Sequence, residues 1–420
     1  MKPLNGITVL DLGQVYGGPY CALLLGHLGA RVIKIESPTL GEPLRSRRGD
    51  NPAVEPFAFQ LLNGGKQSVA LDLKHEEDRA VFFELVEMAD VVVENFAPGT
   101  AASLGVDYGP VRDRNPRIVY ASLKAYSADS PDRSQRGMDL TVQASSAVMS
   151  VNGFPDGPPV RVGPSLVDFL GGSHLALGVM GALVERSATG VGQQVDVALQ
   201  DAVIPAMASN IAGRLTDPEH ALERTGNRHG GMRESPYNTY QTADGWVAVL
   251  CLTGQQWLSL CQLMDRPDLR DDPSLSAAAG RVARMHEIDA AVEAWTKQYP
   301  TEEVVAGMQR AAVPAARLKT VAELIADEMG RTAPMIQHVE GPEGTFTYTF
   351  GSPVRLANHP PEWAGPVARL GQDTAAVLDE LARRRQDGVG AASGAAGAAG
   401  GPDVPAGAGG EDLTRSHDGR

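Results

Sequence analysis

Asp168 is the residue of this 420-residue chain whose surroundings point most directly to enzyme chemistry. It sits among Leu166, Val167, Phe169 and Leu170 and is followed by Gly171-Gly172-Ser173. Apolar flanks permit burial of the carboxyl, and glycines remove the side chains that would keep a ligand's reactive atom away. The same spacing also fits a plainer role, an acid at the start of a helix over Leu170–Leu183.

Other residue types are less suited to chemistry. Cys21, Cys251 and Cys261 are odd in number, far apart and outside any CxxC pattern, which predicts reduced, buried thiols rather than a metal site or a catalytic cysteine. The segment Gly13-Gln14-Val15-Tyr16-Gly17-Gly18-Pro19 joins a strand to a helix, and Glu36 ends the next strand, as in dinucleotide-binding folds. Its glycines are too widely spaced for GxGxxG, and a proline interrupts it, which argues against nicotinamide binding.

The elements that must carry Asp168 read as α/β. Ile7–Leu12 is predicted as a strand, Tyr20–Leu28 as a helix and Arg31–Glu36 as a strand, a βαβ unit that implies a parallel sheet with ligands at the carboxyl ends of its strands. Strands over Ser68–Leu73, Asp90–Glu94 and Arg117–Leu123 and a helix over Glu76–Met88 continue the rhythm. A long small-residue helix, Ser165–Arg186, should be mostly buried, and Gly190-Val191-Gly192 breaks it before a strand at Gln194–Leu199.

Beyond Arg214 the composition shifts. A strand at Trp246–Leu252 and helices at Gln255–Met264, Val282–Trp295, Thr301–Ala312 and Val321–Ala326 suggest a smaller α+β domain. The expected organisation is a Rossmann-like large domain from residues 1–214 and 330–385, a small domain at 215–329, and a disordered Ala/Gly-rich tail at 386–420. Such a tail has too little apolar area to offset the entropy of ordering.

A net charge of −14 argues against nucleic acid and anionic membranes as partners. No window approaches eighteen uninterrupted apolar residues, and MKPLNGITVLDLG enters a strand without an apolar leader, so a cytoplasmic protein is expected. The hydrophobic fraction of 43% is ordinary, while aromatics at 5% are sparse, so the core should be aliphatic.

Several stretches taken together are specific: LNGITVLDLG with its GGP turn, LGARVIKIESP, LNGGKQSVALDLK, ADVVVENFAPGT, NPRIVYASLKAY, GMDLTVQASSAVM and the Asp168 segment. Over roughly residues 3–380 the chain resembles the family III CoA-transferases, which include formyl-CoA:oxalate, carnitine and bile-acid CoA-transferases and are related to α-methylacyl-CoA racemase. The resemblance implies a Rossmann-like fold, an interlocked homodimer, and CoA and acyl-CoA as substrates with no tightly bound cofactor or metal. It makes Asp168 the nucleophile that forms aspartyl-acyl anhydride and aspartyl-CoA thioester intermediates. CoA contacts implied by the motifs are Tyr16, Gly17, Leu71, Asp72, Leu73, Lys74, Asn95, Phe96, Ala97, Arg136, Gly137, Met138 and Asp139, with Lys74 and Arg136 suited to phosphates. Backbone N–H groups around Gly171-Gly172 are candidates for keeping Asp168 ionised.

Two departures matter. Where the formyl-CoA transferases have arginines for CoA, this chain has Ser37 and Ser103, leaving neighbours such as Arg45, Arg47 or Arg48 to replace them. Where the racemases carry a histidine as second base, it has Met138, and a thioether moves no proton. Transfer is therefore expected over α-epimerisation; a racemase or other CoA-ester isomerase, and a non-catalytic acyl-CoA-binding protein, are the alternatives. Gly226–Gly231 resembles the glycine loop that covers the transferase site, with no role assigned to His229; a plain interdomain loop is its other reading.

Overall fold

A computed structural model describes residues 2–46, 55–341, 346–359 and 365–395, the last nine of these as backbone. Six strands form one parallel sheet: β1 (Thr8–Asp11), β2 (Arg31–Glu36), β3 (Gln67–Ala70), β4 (Val91–Glu94), β5 (Val119–Lys124) and β6 (Gln194–Ala198). Their order is β3-β2-β1-β4-β5-β6. The chain thus reverses direction across the sheet between β1 and β4, and their carboxyl ends part to leave a crevice where α/β folds bind ligands.

The central strands β1, β4 and β5 are almost wholly buried on both faces, as parallel strands covered by helices are. Val9, Val91, Val93, Val119, Ala121 and Leu123 pack on one face with the helices Gly17–His27 and Leu166–Thr189. Leu10, Val92 and Tyr120 are buried on the other, where Phe82, Leu85 and Val86 of the Glu76–Met88 helix are also buried.

The Leu166–Thr189 helix differs from its expected burial. It is long and apolar enough to cross a membrane by length and composition. Yet Leu175, Val179 and Ala182 lie in the core while Leu177 and Val184 are 70% and 68% exposed. One stripe, with Gly171, Gly172, Leu175, Ala176, Val179 and Ala182, is packed, and the opposite stripe with Leu177 and Val184 is left open. Gly172 is part of the close stripe: a Cβ there would come within 2.5 Å of the Gly17 carbonyl oxygen.

Buried charges sit below the first loop. Asp11, fully buried, pairs with Lys66 at 2.8 Å and Lys34 at 3.4 Å. Lys66 also donates to the Pro19 carbonyl and Lys34 to that of Gly13, while Gly13 N–H donates to Asp11. Burial pulls Lys66 down to about 8 against the opposing pull of Asp11. Removing one partner would strand an uncompensated charge, a loss of about 3–5 kcal/mol.

A second hydrophobic cluster gathers Tyr240, Val247, Val249, Trp257, Leu260, Ile288, Val292, Val304 and Met308. It packs on the antiparallel sheet β7 (Tyr237–Gln241), β8 (Trp246–Leu250) and β9 (Ala315–Arg317). A hairpin, β10 (Ile336–Glu340) with β11 (Phe346–Phe350), then leads back toward the parallel sheet, where Tyr348 N–H donates to Gln60 and Asp373 N–H to the Ser68 carbonyl.

Among the described residues, those up to Thr374 form one compact unit and those from Ala375 to Ala395 belong to another. The last helix runs from Thr374 to Ala395, so it continues through residues expected to begin the disordered tail; alanines between the glycines support helical backbone. Residues 396–420 of that tail lie outside the described residues.

Candidate active site

Asp168 is the third residue of the Leu166–Thr189 helix, not a cap before it. The N-terminal N–H groups of a helix lack partners within it, and here one is met from a distance. Asp139 Oδ1 accepts from Val167 N–H at 3.0 Å, and its Oδ2 accepts from Gln143 at 2.7 Å. Asp139 therefore caps the helix, and the Asp168 carboxyl has no hydrogen bond to any described residue. Gly171 and Gly172 lie inside the helix, where N–H groups serve the i→i−4 ladder, so they are not the donors expected to hold Asp168 ionised.

Asp168 is half-buried, and its pKa is pushed up to about 7, chiefly by burial and then by the nearby Asp139 carboxylate. Phe169 stacks against Tyr16 at 5.9 Å and meets Tyr20 edge-on at 4.9 Å. Behind it Gly17 is buried; a Cβ there would strike Leu123 at 2.4 Å and approach the Asp168 carbonyl at 3.2 Å. The aromatic pair and the missing side chain fix the first loop against the helix start.

Two cavities meet at the crevice between β1 and β4. The inner one, about 300 Å³, contains Asp168 with Tyr16, Asn95, Phe96, Ala97, Arg136, Gly137 and Met138 in its wall. The outer one, about 500 Å³, is lined by Leu71, Asp72, Leu73 and Lys74 together with Phe96, Ala97 and Arg136. The shared residues Gln14, Phe96, Ala97 and Arg136 stand where the two meet. An elongated ligand with a polar outer end could thus present its inner end to Asp168.

Two of the residues expected to touch CoA line neither cavity: Gly17 packs beneath the loop, and Asp139 is buried as the helix cap. Gln14, Val15 and Lys124 in the inner cavity, and Thr39, Glu42 and Thr100 in the outer, were not anticipated. Lys124 ends β5, and strand-end position was the one signal available for it. Its ammonium meets both oxygens of Glu94, at 2.8 and 2.7 Å, and the Phe96 carbonyl at 3.0 Å, clamping the Asn95–Ala97 turn.

The basic residues are unequally available. The Arg136 guanidinium and the Lys74 ammonium are exposed on the cavity walls and have no hydrogen-bond or ion-pair partner among the described residues. Arg45, suggested above for phosphate, is buried and forked onto Glu36 at 2.7 and 2.8 Å, so it is not free for that role. Arg47 and Arg48 lie outside the described residues. Glu36 is occupied by Arg45 and by Ser68 Oγ at 2.8 Å, which removes the free ribose-binding acid that a dinucleotide site needs. Ser37 lines the outer cavity, bonding to Thr39 at 3.1 Å, whereas Ser103 does not line it.

Met138 is exposed beside Asp168, in the same cavity wall. The loop at Gly226–Gly231 lines neither cavity. Arg228 is forked onto Asp289 at 3.1 and 2.7 Å, and Asp289 also accepts from Asn238 and Tyr240, so the loop is tied to the second hydrophobic cluster. All three cysteines are buried, and burial pushes Cys251 and Cys261 up to about 12, which disfavours a thiolate. No group of three or more His, Cys, Asp or Glu residues able to hold a metal occurs among the described residues.

The family model described as CoA-transferase family III matches residues 4–374. A succinyl-CoA:mesaconate CoA-transferase of Haloarcula hispanica is 34% identical over 390 residues, covering 90% of this chain and 96% of that protein. A formyl-CoA:oxalate CoA-transferase of Streptomyces avermitilis is 33% identical over 383 residues, covering 86% and 90%. Among solved structures, a CaiB/BaiF family protein from Brucella suis superposes with a TM-score of 0.79 at 29% identity, covering 90% of this chain and 99% of that one.

Proposed function

The chain belongs to CoA-transferase family III, and from that premise we propose that it moves CoA from an acyl-CoA donor to a carboxylic acid through covalent intermediates on Asp168. The observation that carries this reading is a half-buried carboxyl without a hydrogen bond among the described residues, inside a cleft at the sheet's switch point and beside a methionine rather than a histidine.

Each step then has a balanced course. The Asp168 carboxylate attacks the thioester carbonyl; the C–S bond breaks, giving an aspartyl-acyl anhydride and CoA thiolate. The thiolate attacks the aspartyl carbonyl, expelling the donor acid as its carboxylate and leaving an aspartyl-CoA thioester. The acceptor carboxylate attacks that thioester, releasing CoA thiolate again and forming the second anhydride. Thiolate attack on its acyl carbon yields the new acyl-CoA and restores Asp168. No proton need be moved by Met138.

Asp168 must be ionised to start, and a pKa near 7 leaves about half of it so at neutral pH. The raised pKa also makes the ionised form a stronger nucleophile than an exposed aspartate. Lys74 and Arg136 would meet phosphate oxygens of CoA, with the pantetheine arm passing Phe96 and Ala97. The names of the two relatives favour small acids as donor and acceptor. The exposed Leu177 and Val184, and Leu215 at 77% exposure, support a homodimer that covers them, and the reading places the enzyme in the cytoplasm.

The test is incubation with a panel of acyl-CoA donors and small acids, following CoA esters and the Asp168 peptide by mass spectrometry. The expected result is exchange of CoA with an acyl or CoA adduct on Asp168, both lost in Asp168→Ala. Exchange that survives Asp168→Ala would sink the assignment.

A further inference from the structure

The loop that walls the inner cavity is held in a conformation its own sequence disfavours. Val15 has φ of 62°, in the left-handed region that β-branched residues avoid because Cβ crowds the backbone there. Residues in such conformations persist only when their surroundings over-determine them, and they concentrate at functional sites.

The holding groups come from beyond two other strands. Asn95, after β4, accepts from Gln14 N–H at 2.7 Å and donates to the Gln14 carbonyl at 2.9 Å. Glu42, in the turn after β2, accepts from Val15 N–H at 2.6 Å through Oε1. Glu42 is only 3% exposed, and its own N–H donates to Glu36 Oε2 at 3.1 Å. Glu36 is in turn forked by Arg45 and bonded by Ser68 on the neighbouring strand. A chain of polar contacts therefore runs from the sheet edge to the Gln14–Val15 peptide.

The two ends of the Glu42–Val15 bond face different cavities. Glu42 lines the outer one and Val15 the inner one that holds Asp168. We propose that Glu42 is a positioning residue for the transfer reaction: by holding the Val15 peptide left-handed it sets a wall of the Asp168 cleft, and it ties that wall to the cavity for the distal part of the CoA ester. The proposal rests on the transferase reading for its effect on turnover, but not for its effect on the loop. Burial raises the Glu42 pKa; Oε1 can accept the Val15 N–H whether the group is ionised or protonated, so a glutamine amide oxygen can replace it.

The experiment uses the full chain as wild type, Glu42→Ala, Glu42→Gln, Val15→Gly and the Glu42→Ala/Val15→Gly double variant. Amide exchange of the peptide spanning residues 13–19 is followed by mass spectrometry, alongside kcat and KM for an acyl-CoA donor. Glu42→Ala should speed exchange at Val15 and lower kcat by about tenfold or more each, with KM within about threefold of wild type, and Glu42→Gln should restore both. In the Val15→Gly background, where glycine takes the left-handed conformation without steric penalty, Glu42→Ala should lower kcat by less than about threefold.

Unchanged exchange in Glu42→Ala, or the same fold loss of kcat in the wild-type and Val15→Gly backgrounds, overturns the proposal. Glu42→Gln as impaired as Glu42→Ala does so too. If Glu42→Ala fails to fold, recovery of a folded chain in the double variant supports the proposal, and failure there also overturns it. A wild type that transfers no CoA would defeat the transferase reading, while the exchange measurement would still decide for or against Glu42.

Discussion

Replacing Asp139 by asparagine tests the electrostatics of Asp168 without removing the helix cap. The asparagine Oδ1 can still accept from Val167 N–H, but the like charge near Asp168 is gone. Asp168 stands at about 7 against an ordinary 3.8, a rise of about three units that opposes ionisation by about 4 kcal/mol. Burial is the larger cause and Asp139 the smaller, so Asp139 accounts for less than half, at most about 1.5 units.

The acid limb of the pH profile of kcat/KM should follow. For the wild type its midpoint should lie near 7; for Asp139→Asn it should fall, with about one unit a reasonable size for the drop. At pH 6 the ionised fraction of Asp168 would then rise from about one tenth to about one half, so kcat/KM should increase by up to about fivefold, while at pH 8.5 the two enzymes should agree within about twofold. The assay is initial-rate transfer from pH 5 to 9 with saturating acceptor acid, whose own carboxyl stays ionised throughout. A wild-type limb near 4, or an Asp139→Asn midpoint unchanged or raised, would refute the reasoning.

The same shift has a stability consequence of defined sign. Because the folded pKa of Asp168 lies above its unfolded value, the wild type loses stability as pH rises from about 4 to 7. Asp168→Asn should therefore abolish transfer yet match the wild type in urea unfolding at pH 3.5 and exceed it at pH 8, by about 1–2 kcal/mol and no more than about 4. Equal unfolding midpoints at pH 8 would contradict the burial argument. Gly172→Ala sets a favourable helix propensity against a clash with the Gly17 carbonyl oxygen at 2.5 Å. The backbone contact should win, with a net loss of about 1–2 kcal/mol and a melting temperature lower by about 2–8 °C. A melting temperature at or above wild type would show that the two helices can part without cost.

Much of the scaffold was legible because it rests on local pattern. The Glu76–Met88 helix and the parallel strands follow from short apolar runs and their polar ends, and strand boundaries differ from expectation by only a few residues. The third strand is the largest departure, ending at Ala70 so that Leu71–Lys74 fall in the turn that lines the outer cavity. Short helices such as Thr100–Leu104 and Asp139–Ser145 carried too few turns to give a readable period. The open stripe on the Leu166–Thr189 helix was also beyond reach, since composition records how apolar a helix is and not which stripe finds a neighbour.

What the sequence by itself determined is the parallel α/β frame, the family resemblance and the identity of the acid at position 168. Its motifs put residues at strand ends, and parallel topology gathers strand ends on one edge. Only the tertiary structure decided what surrounds Asp168 there. Asp139, 28 residues before Val167, caps the helix so that Asp168 need not. Arg45 is used up by Glu36, and Glu42, 27 residues from Val15 along the chain, holds the loop beside the cleft. Each is a contact between side chains whose spacing in sequence follows no period. Burial and partner choice, which fix a carboxyl's pKa and a cation's availability, exist only once the strands have brought those residues together.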